Sequence, residues 1–176
     1  MSMFRRRGRV CVARFEPDEV KVLRKVVTEV IALVSEGFDR GDPVVKRLFP
    51  DAYAGPDGPV ATGRDIAEAA ADFRRYTEGD LKSAKIDQAG AVLAALPSTG
   101  GGEVRLDREA AEAWLRALTD ARLALAVRLG IRDETDMQEE LDDAVLQDPT
   151  SQRVFQLSVY WYLGYLQESL VEAISR

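Results

Sequence analysis

Apolar residues recur every three or four positions along most of the chain, which is the spacing of one face of an α-helix. The first run follows Pro17, which suits a first helical turn, and ends at Gly37, which favours a stop. Its apolar positions are Val20, Leu23, Val27, Val30, Ile31 and Val34. The pattern predicts a long amphipathic helix, followed by a short one that Asp42 caps and Pro50 ends.

An alanine-rich segment, residues 65–81, continues the helical composition. A further helix is expected to run to Leu96, where Pro97 ends it. Gly79 either separates two helices here or bends one, because glycine lowers helix propensity. The preceding GPDGPVATG segment, residues 55–63, holds three glycines and two prolines and is predicted to be a surface loop.

Further helices are predicted after residue 107. Asp107 suits the N-cap of a helix that ends at Gly130. An acidic amphipathic helix follows, with apolar positions at Met137, Leu141 and Leu146. Asp148 and Pro149 are then expected to open the last helix, as an N-cap followed by proline.

Two short parts of the chain alternate polar and apolar side chains as strands do. The first has extended stretches on both sides of Gly8, and the second is residues 103–106. We expect them to pair. The predicted fold class is mainly α (α+β): a single helical domain of six or seven helices, with a small antiparallel sheet of two or three short strands from the N-terminus and residues 103–106.

The whole chain, residues 1–176, is expected to form one domain, since its length is typical of one. Residues 1–16 supply an arginine-rich strand or hairpin, and residues 17–97 supply helices with a loop at 54–63. Residues 98–107 supply a glycine-rich turn and a strand, and residues 108–176 the remaining helices.

The segment VFQLSVYWYLGYL, residues 154–166, is apolar or aromatic nearly all the way round. A helix of this kind is typical of the centre of a domain, so we expect its aromatic residues in the core. In the alternative interpretation, the aromatic residues line a ligand pocket or partner groove, because each combines an apolar body with a polar tip. These residues are Tyr160, Trp161, Tyr162 and Tyr165, and Trp161 and Tyr165 are the principal pocket candidates.

Composition excludes several classes of chemistry. The chain has no histidine and one cysteine, Cys11. It therefore lacks the residues for a Ser-His-Asp or Cys-His catalytic unit and for a zinc site of cysteines and histidines. An intrachain disulfide is excluded as well. No cofactor and no metal is predicted.

The chain also lacks sequence signals for membranes and export. Its mean hydropathy is −0.19, and no run of about 18 apolar residues occurs. Arginines interrupt the apolar positions near the N-terminus, so no signal-peptide pattern is present. We expect a cytoplasmic protein that does not bind membranes.

Positive charge is concentrated near the N-terminus. Five of the 24 lysines and arginines lie among the first 14 residues, which contain no acid, while the chain as a whole has a net charge of −6. Arg5, Arg6, Arg7 and Arg9 could therefore contact a protein partner or nucleic acid. Alternatively, these arginines occupy the solvent face of an edge strand and discourage pairing with other chains.

Residues 133–143 contain seven carboxylates. The segment lacks the turn glycine of a calcium-binding loop, and helical periodicity spreads the acids over several faces. We interpret it as a solvated acidic face that could dock a basic partner. Its candidate residues are Glu139, Glu140, Asp142 and Asp143.

Cys11 has two interpretations. It is either a small buried hydrophobic residue or a redox-active thiol that forms sulfenic acid or a disulfide with a second chain. Nearby arginines would lower its pKa and burial would raise it, and the sequence does not decide between them.

Four blocks carry a family resemblance: DPVVKRLFPDAY at 42–53, FRRYTEGDL at 73–81, AEAWLRALTDARLALAVRLGI ending at Ile131, and YLQESLV at 165–171. In this order, after an arginine-rich strand and a helix, they resemble the actinobacterial family of formerly unknown function that the oxidative-stress regulator AosR represents. The polar residues in these blocks include Arg116, Asp120, Arg122, Gln167 and Glu168. Arg116 and Asp120 are four apart and could pair on one helix.

The resemblance implies a non-enzymatic cytoplasmic regulatory protein that responds to oxidants. It implies action through a protein partner such as a sigma factor, and cysteine-assimilation genes as the output. Redox sensing in the family is described in terms of a cysteine pair, whereas this chain has only Cys11. The chain therefore either senses through an intermolecular bond or works as a scaffold without a thiol switch.

Two other functions stay open at this point. One is an enzyme that binds a small molecule or metal through carboxylates in a pocket beneath Trp161 and Tyr165. The other is direct nucleic-acid binding by the N-terminal arginines, although DNA contact is expected to be indirect or weak because the body of the protein is acidic. A homodimer is compatible with each of these functions.

Overall fold

The computed structural model describes residues 1–36, 39–50 and 64–176. These residues contain three strands: β1 (Arg5–Arg7), β2 (Val10–Phe15) and β3 (Gly102–Leu106). They also contain six helices: α1 (Pro17–Ser35), α2 (Pro43–Leu48), α3 (Arg64–Ala95), α4 (Arg108–Leu129), α5 (Met137–Gln147) and α6 (Gln152–Ser175). The mainly α fold class with a small sheet is confirmed. The predicted loop at 54–63 lies outside the described residues.

The three strands form an antiparallel sheet in the order β1-β2-β3. A two-residue turn joins β1 to β2, and Gly8 occupies its first position with φ of 64°, where a side chain would be strained. Cys11 pairs with Leu106 and Ala13 with Val104, and these residues form the buried face of the sheet. The expected pairing of the N-terminal segment with residues 103–106 is therefore confirmed.

Local capping signals determine several helix ends as predicted. The Asp42 carboxylate accepts from Val44 N at 2.7 Å, and the Asp107 carboxylate accepts from Ala110 N at 2.8 Å. Gly130 ends α4 in the left-handed conformation with φ of 73°. Gly79 neither separates two helices nor ends one, because α3 continues through it.

The predicted start of the last helix is wrong by three residues. The Asp148 carboxylate accepts from the backbone and hydroxyl of Thr150, at 2.9 and 2.8 Å, and forms a turn in place of an N-cap. Ser151 is the cap, and its hydroxyl accepts from Val154 N at 3.3 Å. The Asp-Pro pair therefore belongs to the connection between α5 and α6.

The core is centred on three aromatic rings from distant parts of the chain. Trp114 of α4 is fully buried, and its ring centroid lies 5.5 Å from that of Phe4 and 6.0 Å from that of Phe15. The backbone N–H of Phe4 donates to Ser169 Oγ of α6 at 3.0 Å. The N-terminal hairpin is thus attached to both long helices of the second half.

Among the glycines that the structure describes, Gly101 is the one whose replacement should lower stability most, because a Cβ there would overlap the Phe15 carbonyl oxygen and lie 3.0 Å from Pro17. We expect Gly101→Ala to lower the free energy of unfolding by about 1–3 kcal/mol. Gly79→Ala is the control, since nothing lies within 4 Å of its Cβ position in α3. It should raise stability by about 0.5–1 kcal/mol. Urea denaturation of both variants tests this, and a Gly101→Ala protein as stable as the parent would contradict it.

Candidate interaction site

The first candidate surface is the edge of the sheet at β1. We call it the arginine edge and define it as Arg5, Arg6, Arg7 and Arg9, all of which are exposed. Within the described chain none of the four pairs with a carboxylate. Arg6 donates to two backbone carbonyls, that of Gly8 at 2.9 Å and that of Ile174 at 3.4 Å. Four positive charges are therefore available to an external acidic group.

The basic surface continues across the outer face of the sheet. Cross-strand partners share a face, so Arg5, Val12 and Arg105 form one row on this face. Val12 is nevertheless buried, whereas the two arginines that flank it are exposed. Arg105 pairs with Glu103 at 3.0 Å, and Arg14 is exposed. This exposure suits a binding surface, and it equally suits charged side chains that protect an edge strand.

Cys11 lies directly behind the arginine edge. It pairs with Arg6 in the sheet register, on the buried face, and is 6% exposed. Burial raises the pKa of the thiol above its ordinary value of 9.0, although the Arg6 charge acts in the opposite direction. The thiol is therefore protonated at neutral pH and shielded, and both conditions slow its reaction with oxidants.

The predicted acidic surface is α5, and its carboxylates have different environments. Glu140 forms an ion pair with Arg153 at 2.7 Å, and Asp142 accepts from Gln138 at 3.0 Å. Glu139 and Asp143 are exposed and have no partner among the described residues. The described residues contain no group of three or more potential ligands arranged to hold a metal ion. The four acids thus form a solvated surface on which two carboxylates, those of Glu139 and Asp143, have no partner among the described residues.

The third surface is a groove along α6. Trp161 and Tyr165 are 41% and 36% exposed, so the expectation that both are core residues is wrong. The buried side of α6 is occupied by Leu163, Leu166 and Leu170, which leaves the two aromatic rings on the opposite side. Both line an open cavity of about 510 Å³, which we call the α6 groove. Its other lining residues are Arg122, Met137, Tyr160, Gly164, Gln167, Glu168 and Val171.

Arg122 of α4 forms the floor of the α6 groove. Its guanidinium stacks over the Tyr160 ring at 5.1 Å and donates from Nη1 to Gln167 Oε1 at 2.8 Å. The guanidinium also lies beside Gly164, where a Cβ would be in ordinary van der Waals contact with it at 3.4 Å. The Nε of Arg122 is buried and has no acceptor within the described chain. The family blocks contained both Arg122 and Gln167, but nothing in their spacing indicated that they meet across 45 residues.

These surfaces lie on a chain whose first 174 residues match the family model described as "Domain of unknown function (DUF2017)". The chain belongs to the DUF2017 family. The match covers nearly the whole sequence, so the resemblance carried by the four sequence blocks is confirmed at the level of the family.

Curated relatives of this DUF2017 chain are named as stress regulators. A Mycobacterium leprae (strain TN) protein, provisionally named oxidative stress regulator AosR, is 29% identical over 90% of this chain and 79% of its own length. The oxidative stress regulator AosR of Mycobacterium tuberculosis (strain ATCC 25618 / H37Rv) is 38% identical over 52% of this chain. That match covers 43% of the relative's own length. The names support a regulatory role, and no solved structure matches the chain.

One pairing suggested by the family blocks does not form in the DUF2017 chain. Asp120 is buried and accepts from Lys85 Nζ of α3 at 2.7 Å, whereas Arg116 is exposed. Asp120 lies on the side of α4 that packs against α3, so its carboxylate cannot reach solvent to meet Arg116. Burial raises the pKa of Asp120 above its ordinary 3.8, and the Lys85 ammonium partly offsets this rise.

The described part of the DUF2017 chain contains no helix with both the length and the apolar character that a membrane span requires.

Proposed function

We propose that this DUF2017 protein is a non-catalytic cytoplasmic regulator of the oxidative-stress response that acts by binding a protein partner through the arginine edge. The observation that carries the proposal is the set of four exposed guanidinium groups with no carboxylate partner in the described chain. The names of the AosR relatives support the regulatory part.

Charge favours a protein partner over nucleic acid. The whole chain has a net charge of −6 and a pI near 4.9, so the arginine edge is a basic site on an acidic protein. An extended polyanion such as duplex DNA would place phosphates against the acidic remainder as well. A partner protein with a local acidic patch avoids this repulsion. We propose a sigma factor as the partner class, because the family resemblance implies one.

The α6 groove supports a binding protein better than an enzyme. It is open to solvent and lined mainly by apolar and aromatic side chains, and Glu168 is the single carboxylate among its lining residues. Acid–base catalysis by paired carboxylates requires a second carboxyl group close to the first. The carboxylate enzyme considered from the sequence would need an enclosed polar pocket beneath Trp161 and Tyr165, which differs from this groove.

The position of Cys11 supports a scaffold without a thiol switch. A buried thiol of raised pKa reacts slowly, and its burial also hinders a disulfide with a second chain. We therefore propose that oxidants change the partner or its level, and that this chain binds the partner in both conditions.

Affinity capture from a lysate of the source organism, followed by mass spectrometry, tests the proposal. We expect Arg5→Glu/Arg7→Glu to lose the main captured protein. Arg116→Glu/Arg132→Glu is the matched control, because it makes the same charge change at exposed arginines elsewhere and should retain that protein. Glu139→Lys/Asp143→Lys tests the free charges of α5 in the same way.

Three results would contradict parts of the proposal. Unchanged capture by Arg5→Glu/Arg7→Glu would exclude the arginine edge, and loss only with Glu139→Lys/Asp143→Lys would move the site to α5. Capture that disappears after nuclease treatment would support nucleic acid. Capture that Cys11→Ser abolishes, together with a peroxide-induced dimer on non-reducing electrophoresis, would restore the thiol switch.

A further inference from the structure

One face of α6 carries large side chains that the described chain leaves partly exposed. The face consists of Trp161, Gly164, Tyr165, Glu168 and Val171, whose spacing of three or four residues places them in one stripe. Val171 is 46% exposed, in addition to the exposure of the two aromatic rings. We call these five residues the α6 stripe. A contiguous apolar surface of this kind marks a protein interface more often than a bare surface.

The α6 stripe and the groove floor also carry opposite charges that lack a full set of partners. Glu168 is exposed and makes no hydrogen bond or ion pair within the described chain. Arg122 is half-buried: its Nη1 donates to Gln167, its Nε is buried without an acceptor, and no carboxylate pairs with it among the described residues. The surface therefore has an exposed carboxylate without a cation beside a half-buried guanidinium without a carboxylate.

We propose that the α6 stripe is the interface of a symmetric homodimer, in which α6 of one copy crosses α6 of a second copy in an antiparallel arrangement. A two-fold interface requires a surface that complements itself. Four of the five stripe residues are symmetric about the midpoint between Gly164 and Tyr165, with Val171 outside this set, so a two-fold axis there places Trp161 opposite Glu168 of the second copy. It also places Tyr165, a large residue, opposite Gly164, the smallest.

This arrangement brings the opposite charges together. Arg122 lies beside the middle of the stripe, between Tyr160 and Gln167 and next to Gly164, and it is therefore close to Trp161, which Glu168 of the second copy approaches. Each dimer would thus contain two Arg122–Glu168 contacts between copies, related by the axis. Charge-assisted hydrogen bonds between arginine and carboxylate are among the stronger polar contacts in interfaces.

A second copy fits this surface better than an unrelated partner. An acidic partner would be repelled by Glu168 and a basic one by Arg122, whereas a copy of the chain presents both charges in inverted order. The dimer does not depend on the proposed function, because the arginine edge is not part of the α6 stripe. It would present two arginine edges to a partner and so increase avidity.

Sedimentation equilibrium of the purified chain under reducing conditions tests the dimer. The monomer mass is 19.5 kDa, and we expect the weight-average mass to rise with concentration toward twice that value. Glu168→Arg places like charges opposite each other and should weaken self-association by about 30-fold or more. Asp143→Arg is the matched control, because it makes the same change at an exposed residue of α5 and should leave the association unchanged.

A charge exchange identifies the contact between copies. Arg122→Glu alone should also dissociate the dimer, and the double variant Arg122→Glu/Glu168→Arg should restore it, because each copy then presents the exchanged pair. Circular dichroism and thermal unfolding of the monomeric variants verify that they are folded.

Two results would overturn the proposal. The first is a parent protein that stays at the monomer mass at every concentration. This result would count against the dimer even if the α6 stripe binds a different protein. The second is a dimer that Glu168→Arg and Arg122→Glu leave intact, which would place the interface elsewhere. Because capture by Arg5→Glu/Arg7→Glu is measured separately, failure of the dimer and failure of the proposed function are distinguishable.

Discussion

Replacing Lys85 with methionine is expected to lower the free energy of unfolding by about 3–5 kcal/mol at neutral pH, because it leaves the Asp120 carboxylate charged and unpaired in the interior. The ammonium lies 2.7 Å from the carboxylate, and the two side chains are 12% and 8% exposed. Methionine retains most of the aliphatic stem beside the Phe49 ring, which the ammonium approaches at 5.7 Å. The loss therefore comes mainly from the charge.

The loss should depend on pH in a defined direction. Burial already raises the pKa of Asp120 in the folded protein, and removal of the Lys85 charge raises it further. A carboxyl whose pKa is raised in the folded state lowers the free energy of unfolding little below its ordinary pKa of 3.8. It lowers that free energy progressively more as pH rises through its pKa in the folded protein. The stability difference between parent and variant should therefore be small in acid and largest at neutral pH. Urea denaturation of both proteins across this pH range measures it.

The double variant Lys85→Met/Asp120→Leu is the control for this prediction. It removes both charges from the same site, so it should recover most of the stability at neutral pH and show little change with pH relative to the parent. A Lys85→Met protein whose loss is the same at acidic and neutral pH would show that packing, and not the charge on Asp120, accounts for the effect.

Local signals in the sequence are sufficient to predict most of the helices and strands of the fold. Asp42, Asp107 and Gly130 each act within one helical turn, so their roles could be read without knowledge of the tertiary structure. The start of α6 shows the limit of such signals. Asp148–Pro149 and Ser151 are both good starting sequences, and the choice between them depends on the turn that Asp148 forms with Thr150.

Contacts between distant segments could not be predicted in this way. Asp120 has Arg116 four residues before it on the same helix, but its partner is Lys85, because helix packing buries one side of α4. The segment that forms α6 is apolar nearly all round, so periodicity could not show which side its neighbours cover. The exposure of Trp161 and Tyr165 and the position of Arg122 beside them both follow from that packing.

Removing the Trp114 side chain should lower the free energy of unfolding as much as replacing Lys85 with methionine does. Trp114→Ala removes the ring that contacts Phe4 and Phe15, and we expect a loss of about 3–5 kcal/mol in the free energy of unfolding. A domain is typically stable by about 5–15 kcal/mol, so this loss is a large fraction of the total. Trp114→Phe should cost less, because the indole N–H has no hydrogen-bond partner within the described chain and only part of the ring volume is lost.

Trp161→Ala is the matched control, since it removes the same kind of side chain from the exposed face of α6. It should lower the free energy of unfolding by about 1 kcal/mol or less in dilute solution.

The two tryptophan variants should also differ in the hydrogen exchange of the arginine edge. Phe4 precedes β1 directly and packs edge-on against Trp114, so Trp114→Ala should speed amide hydrogen exchange of Arg5–Arg7 more than of α1, while Trp161→Ala should leave both unchanged. Equal losses of stability for the two tryptophan variants would show that the aromatic cluster does not anchor the hairpin. In that case the arginine edge would depend on other contacts, such as the hydrogen bond from Phe4 N to Ser169 Oγ.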